Sequence, residues 1–345
     1  LYICYMDIEE IKKQILALPL GDRQRLLREV GDSVAVPKAQ TSRRHQLDNR
    51  MGNCPHCGHG KYVRFGKDKG AQRYKCGSCR RSFTEYTGTW MAGLHKKDKV
   101  DDYLTLMMEE KSLDKIKDAL KINKKTAFDW RHKILSSLAD NDGDDFTGIT
   151  ESDETFFLKS EKGRETVGRK PRKRGGTSSK RNVNDEHVAV IVTQDRKSGL
   201  DLTAATMGRI KKSDIDTAIG QRIKKGQVIL CSDAHVSYKG FAIDNDVEHH
   251  ALKAVIKQHV KSGIYHIQHV NSTHNRIKKW VDGRFWGVAT KYLQNYLNWF
   301  RIKEQLKNSR DMLQDFVPKT MESNVAMEKY HGIVTRYEML ISTQN

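Results

Sequence analysis

Two aspartates in this sequence stand where a pair of divalent cations could be held. Asp153 lies in the middle of "ESDETFF", and Asp233 ends the apolar run "VILCSD". Carboxylates on neighbouring strands can share hard divalent ions about 4 Å apart, as two-metal phosphodiester chemistry requires. Either aspartate alone would more often be a loop cap. Strand alternation puts Glu151 on the same face as Asp153 and predicts that Glu154 points away.

A third ligand for such a site would be expected in "HVNSTHNRIKKW" (269–280), which contains no acid. Helical periodicity predicts that His274 faces the body of the domain, together with the apolar positions around it, whereas Asn275 lies well off that face. Asn271 and Lys278 lie one turn on either side of His274 and could complete the same pocket. A neutral imidazole can bind a divalent ion, Mn²⁺ somewhat better than Mg²⁺. The alternative is a core histidine without a chemical role.

Four of the six cysteines form two C-x-x-C pairs that are eighteen residues apart. This spacing predicts a tetrahedral zinc site in a zinc ribbon, and the closed shell of four thiolates makes it structural rather than catalytic. Metal binding should supply on the order of 10 kcal/mol to the folding of so small a module. Disulfide pairing is the weaker alternative because the sequence shows no export signal. The four ligands would be Cys54, Cys57, Cys76 and Cys79.

The composition favours a polyanionic partner. The formal charge is +19 and the pI is about 9.6, with lysine and arginine spread over the length of the chain. Such a balance favours nucleic acid over a neutral small molecule. No apolar run approaches the roughly 18 residues of a membrane span, and the first ten residues do not read as a signal peptide. We therefore expect a DNA-binding, cytoplasmic protein, associated with the nucleoid when bound to DNA.

Two segments are candidates for DNA contact. Ser112 is predicted to cap a short helix that the turn "KINKK" joins to a second one, which is a helix-turn-helix pattern. A small helical bundle without DNA is its alternative. The basic stretch 159–184 is predicted to be a DNA-gripping arm or, equally, a solvated insertion. The contact candidates are Lys124, Lys125, Thr126, Arg131, Arg172, Lys173 and Arg174.

The remaining pattern predicts a multidomain chain. From about residue 148, three strands are followed by alternating helices and strands, which resembles the order of ribonuclease-H-like domains. The aromatics after Gly287 repeat at helical spacing and are interpreted as packing. A polar linker is predicted between the leader and the cysteines. The domains would be a short helical leader at 1–35, the zinc ribbon at 50–90, the helix-turn-helix region at 98–140, an α/β catalytic domain at 147–305 and a C-terminal tail at 306–345.

The motifs "ESDETFF", "SDAHVSYKGFA" and "HVNSTHNRIKKW…GVATKYLQNYLNWF", in this order behind a zinc ribbon, resemble the DDE-type insertion-sequence transposases. The resemblance covers about residues 50–300. It implies a ribonuclease-H-like domain that cuts at element ends and joins the 3′-hydroxyls to target DNA with Mg²⁺ or Mn²⁺. The first two acids fall on Asp153 and Asp233. At the third position the chain departs from an acidic triad and resembles branches with Asn or His followed by a basic residue.

The resemblance also implies a homo-oligomer, because two element ends must be handled together. Two other functions fit the same sequence. One is a non-enzymatic DNA-binding regulator that uses the ribbon and the helix-turn-helix, and the other is a structure-selective nuclease on the same fold.

Overall fold

A computed structural model of the chain describes residues 8–26, 38–49, 51–140, 145–163, 176–252 and 260–342. The first two described helices are α1, over Ile8–Ala17, and α2, over residues 20–26. Within the ranges given, no helix combines the length and the apolar character needed to cross a membrane. The architecture is a mixture of helices and two sheets.

Helix α3, over Ala39–Asp48, occupies the polar segment that we predicted to be a linker. Polar contacts hold this helix together with the buried apolar side chains of Ala39 and Leu47. Arg43 is buried and donates to the backbone oxygen of Met321 at 3.1 Å. Arg44 donates two hydrogen bonds, of 2.7 and 2.9 Å, to the fully buried carboxylate of Glu85. The linker prediction is wrong because hydropathy does not reveal a helix that packs through its arginines.

The cysteine region folds as a three-stranded antiparallel sheet. Lys69 and Gly70 form the turn between its first two strands with φ of 46° and 82°, and two positive values match the twist of a two-residue hairpin. Its small core contains three aromatic rings whose centroids lie 5.4 to 5.6 Å apart, those of Tyr62, Tyr74 and Phe83. The strands are β1 Tyr62–Asp68, β2 Ala71–Cys76 and β3 Ser82–Thr84.

The predicted helix-turn-helix consists of two capped helices. The Ser112 hydroxyl accepts a hydrogen bond from the backbone of Lys115 at 3.3 Å, and the Asn123 side chain accepts one from Lys125 at 2.7 Å. Each cap satisfies a backbone N–H that has no partner inside the helix. Lys121 adopts a left-handed conformation and ends the first of the two. The helices of this region are α4 Val100–Met108, α5 Leu113–Leu120 and α6 Lys124–Ser137.

The larger sheet contains the five predicted strands, namely β4 Gly148–Leu158, β5 His187–Asp195, β6 Leu200–Met207, β7 Val228–Asp233 and β8 Glu248–Leu252. Their spatial order is β6, β5, β4, β7, β8. The first three strands along the chain pair antiparallel, whereas β7 runs parallel to β4 and β8 parallel to β7. The structure confirms the predicted order of three strands followed by alternating helices and strands.

Helices cover both faces of this sheet. Alternate residues of β5 point to opposite sides, so Val190 lies in one core and Ile191 in the other. The smaller core includes side chains from the two crossover helices, α7 Lys212–Ile219 and α8 Val236–Asp244. The larger core includes the longest described helix, α9 Gln268–Phe285, and the aromatic helix α10 Leu293–Gln305. Tyr296, Trp299 and Phe300 are buried there, which confirms their interpretation as packing residues.

The C-terminal region, which we predicted to be a tail, is part of the larger core. Its helices are α11 Met312–Thr320, α12 Ala326–His331 and α13 Ile333–Ser342. Phe316 and Met321 are fully buried, α11 packs on α3, and α12 packs on α6. Gly88, in the turn after the ribbon, approaches Asn324 so closely that a Cβ there would clash with its carbonyl oxygen. The tail prediction is wrong, and the helix-turn-helix is not a freestanding module, because one core joins them.

Replacing a core residue of the C-terminal region tests this arrangement. We expect Phe316→Ala to lower the free energy of unfolding by about 3 to 5 kcal/mol, because it leaves a cavity in the core. Met339→Ala is the matched control, since this side chain is 59% exposed and its loss should change stability by less than about 0.5 kcal/mol. Urea denaturation measures both. Equal, small effects would contradict the placement of α11 in the core.

Candidate active site

The structure brings together the two aspartates that the sequence singles out. β7 runs parallel to β4 with Cys231 opposite Glu151, so that two residues further along each strand Asp233 comes beside Asp153. One carboxylate oxygen from each lies within 4.8 Å of the other. The crossover connection between the strands is what makes them parallel and places both acids at the same end of the sheet. Their predicted proximity is confirmed.

A third carboxylate, that of Glu154, belongs to the same group. An oxygen of Glu154 also lies within 4.8 Å of both Asp153 and Asp233. The backbone of Glu154 hydrogen-bonds to its own carboxylate and to that of Asp153. Both acids lie on β4 just beyond the point where its pairing with β7 ends, at Glu151. The prediction that Glu154 points away is wrong, because alternation fixes the direction of Cβ and not the end of a long side chain.

Burial and repulsion between carboxylates favour the protonated forms of Asp153 and Glu154. Burial, and then the neighbouring carboxylates Glu154 and Asp233, raise the pKa of Asp153 to about 8. Burial and Asp233 raise the pKa of Glu154 to about 7. Oε2 of Glu154 is buried without a hydrogen-bond partner in the described structure. Three crowded carboxylates with an unpartnered oxygen fit a hard divalent cation, which prefers oxygen ligands.

His274 lies on the inner face of α9, as predicted, and Asn275 is exposed. Burial, and then Lys278, lower the pKa of His274 to about 4, so its imidazole is neutral near pH 7. A hydrogen bond links this side chain to the backbone of Asp153. Its Nε2 is buried without a partner among the described residues. Asn271 and Lys278 are exposed on the same helix.

Periodicity thus predicted the direction of His274. Its role as a metal ligand stays a prediction. Among the described residues, the group that joins the three carboxylates does not include it.

Glu151 fixes α9 to β4, a role that the sequence analysis missed. Its fully buried carboxylate accepts a 2.9 Å hydrogen bond from the backbone N–H of His269 and contacts the His269 ring at 2.7 Å. Arg196 and His266 lie 3.5 and 3.3 Å from the same carboxylate. An anion at a helix N-terminus is stabilised by the unpaired N–H groups and by the helix dipole. The sequence indicated this role only indirectly. Glu151 is an acid on the inner face of a predicted strand, and no basic residue lies near it in the sequence.

The residues proposed to contact DNA differ in their exposure to solvent. Lys124 and Lys125 are exposed at the start of α6, where they form ion pairs with Asp114 and Asp129. Thr126 is half-buried. Arg131 is buried and donates to the backbone oxygen of Lys111 at 2.8 Å, so it cannot reach DNA, and this prediction is wrong. Arg172, Lys173 and Arg174 lie outside the described residues.

The four cysteines converge as the spacing predicts. Each offers a sulfur within 4.8 Å of the others, and none forms a disulfide. Sγ of Cys54 lies 3.8 Å from that of Cys79, and Sγ of Cys57 lies 3.7 Å from that of Cys76. Sulfurs about 2.3 Å from a central ion in a tetrahedron would be about 3.8 Å apart. The group therefore fits zinc.

Residues 145–304 match a family model described as the ISXO2-like transposase domain. This range contains Asp153, Asp233, Glu151 and His274. The match confirms the resemblance to DDE-type insertion-sequence transposases. Residues 145–304 are thus similar to the ISXO2-like transposase domain.

Two solved structures are similar over nearly the whole chain at low identity. The "Crystal structure of the Mos1 Strand Transfer Complex" is 11% identical, covers 99% of this chain and 98% of its own, and has a TM-score of 0.21. The "Crystal structure of a pre-cleavage Mos1 transpososome" is 10% identical, covers 96% and 95%, and also has a TM-score of 0.21. Scores this low carry no argument about fold or function. Comparison with curated proteins gives no match.

The contact between Glu151 and α9 can be tested by stability. We expect Glu151→Gln to lower the free energy of unfolding by about 2 to 3 kcal/mol, because the helix N-terminus and Arg196 lose a buried charge-assisted partner. Glu248→Gln is the control, since its side chain on β8 is 58% exposed. Both free energies of unfolding are measured by urea denaturation. An equally small decrease in the two variants would contradict the anchoring role of Glu151.

The crowded carboxylates predict a pH dependence. Because their pKa values are raised in the folded state, Asp153 and Glu154 contribute stability that is complete below their usual pKa near 4. That stability is lost as the pH rises through about 7 to 8. Without Mg²⁺ or Mn²⁺, the melting temperature should fall from about pH 4 to about pH 8, and less steeply in Asp153→Asn. The melting temperatures are measured by circular dichroism. If they fell in parallel with pH in wild type and Asp153→Asn, the carboxylates would not be the origin of the pH dependence.

Proposed function

We propose that the protein is a DNA transposase that cuts element ends and transfers the 3′-hydroxyls to target DNA with divalent metal ions. The observation that carries this proposal is the proximity of the Asp153 and Asp233 carboxylates, on the neighbouring strands β4 and β7, inside the matched transposase domain. The spatial strand order, with the first strand between the second and the fourth, supports a ribonuclease-H-like domain. In such a domain an acid from the central strand and one from the next parallel strand meet at one end of the sheet.

The chain supplies the groups that this chemistry needs. Asp153 and Asp233 would hold the ions, which when bound activate the attacking oxygen and stabilise the leaving one. His274, neutral and hydrogen-bonded to the backbone of Asp153, completes the site as a ligand or by orienting that aspartate. Lys278 and Asn271, exposed on the same helix, would contact the phosphate or the departing strand.

The other modules would bind the DNA. The charge of +19 supports a polyanionic partner, and a zinc-loaded ribbon would present its basic strands to phosphates. Lys124 and Lys125 are exposed at the N-terminus of α6, an end that favours anions. Arg172, Lys173 and Arg174 stay proposed contacts on sequence grounds. A homo-oligomer follows from the need to handle two ends in one reaction.

An end-cleavage and strand-transfer assay tests the proposal. We expect Asp153→Asn and Asp233→Asn each to reduce metal-dependent cleavage by at least about 100-fold with DNA binding retained, because each removes an anionic ligand. Asp246→Asn is the control, since this exposed acid pairs with Lys225 on the surface. DNA ends carrying the element's inverted repeats are the substrate, with gel-resolved products as the measurement.

The outcomes separate the alternatives. Unchanged cleavage in both aspartate variants would refute the catalytic site. DNA binding by wild type without any cleavage would favour the regulator, and cleavage without joining would favour a nuclease. His274→Ala, His274→Glu and Asn275→Ala in the same assay test the helix. Sensitivity to Asn275 with indifference to His274 would overturn the assignment of His274.

A further inference from the structure

We propose that Glu154 is the third carboxylate ligand of the divalent-metal site, supplied by strand β4 in place of the acid that α9 lacks. The inference rests on the proposed function, because it assigns a further ligand to the same site. It begins from geometry: oxygens of Asp153, Glu154 and Asp233 all lie within 4.8 Å of one another, close enough to share cations.

Two glutamates on the same strand give an internal comparison. Glu151 is fully buried, and its charge is compensated by Arg196, by His269 and by the backbone N–H groups at the start of α9. Glu154 has no ion-pair partner in the described part of the chain, and its Oε2 is buried without a hydrogen bond. A buried carboxylate oxygen without a partner is costly, and a bound cation can compensate for it. One glutamate is therefore satisfied by the protein alone, whereas the other is not.

The number of negative charges at the site also supports Glu154 as a ligand. Asp153, Asp233 and a neutral His274 would present two negative charges to two divalent ions, whereas Glu154 raises this number to three. Three is the charge that an acidic triad would provide. His274 then need not bind metal. Its hydrogen bond to the backbone of Asp153 makes it a positioning residue for the strand that carries two of the ligands.

Local backbone geometry explains how a side chain from the opposite face reaches the site. The pairing of β4 with β7 ends at Glu151 opposite Cys231, and β7 itself ends at Asp233. Asp153 and Glu154 therefore follow the end of this pairing. There the flexible side chain of Glu154 brings an oxygen within 4.8 Å of oxygens of both Asp153 and Asp233.

Direct binding of Mn²⁺ to the full-length, zinc-loaded protein tests the assignment without reference to activity. Isothermal titration calorimetry should give at least tenfold weaker Mn²⁺ binding in Glu154→Gln than in wild type. His274→Ala should stay within about threefold of wild type. Glu248→Gln, an exposed acid on β8, is the matched control and should bind as wild type does. DNA binding should be retained in all three variants, because none of them changes a residue proposed to bind DNA.

Folding is controlled by a second variant and a second measurement. Glu154→Gln relieves repulsion, so its melting temperature without Mn²⁺ should equal or exceed that of wild type, while the increase that Mn²⁺ gives to wild type should shrink. Glu154→Asp keeps the charge but shortens the reach, and should also weaken binding at least tenfold. Wild-type affinity in both Glu154 variants, with loss in Asp153→Asn, would overturn this inference alone. Absence of Mn²⁺ binding in wild type would overturn the metal site and this inference together.

Discussion

The site depends on the attachment of one helix to one strand. Glu151 lies two residues before Asp153 on β4, and its carboxylate is bound by the first turn of α9. His274 lies five residues further along that helix and bonds to the backbone of Asp153. The strand and the helix thus interact at two points, one at Glu151 and one at the backbone of Asp153. A buried carboxylate at a helix N-terminus sets both the depth and the rotation of α9, because the unpaired N–H groups point along the helix axis.

The sheet and much of the site could be predicted from the sequence because their signals are local. β5 coincides with an apolar run and β4 with an alternating segment, and helical periodicity predicted the inward direction of His274. Glu154 could not be placed in the same way. The position of its carboxylate depends on where β7 ends and on which backbone N–H the carboxylate accepts from. Strand alternation predicts neither of these.

The larger failures have a common physical cause. α3 and Arg131 are buried through hydrogen bonds of arginine to distant backbone oxygens, so their residues look exposed to any reading of hydropathy. The C-terminal helices have ordinary amphipathic patterns, but nothing in those patterns says which surface they cover. The convergence of the four cysteines was easier to predict, because the spacing of the two C-x-x-C pairs already indicates their geometry.

The bond between Arg43 and the backbone of Met321 joins residues 278 positions apart. During synthesis Arg43 emerges long before its acceptor, and so does Gly88 before the Asn324 carbonyl that it accommodates. The larger core can therefore close only when α11, α12 and α13 have left the ribosome. A nascent chain that lacks these helices has the two aspartates but not the assembled body around them.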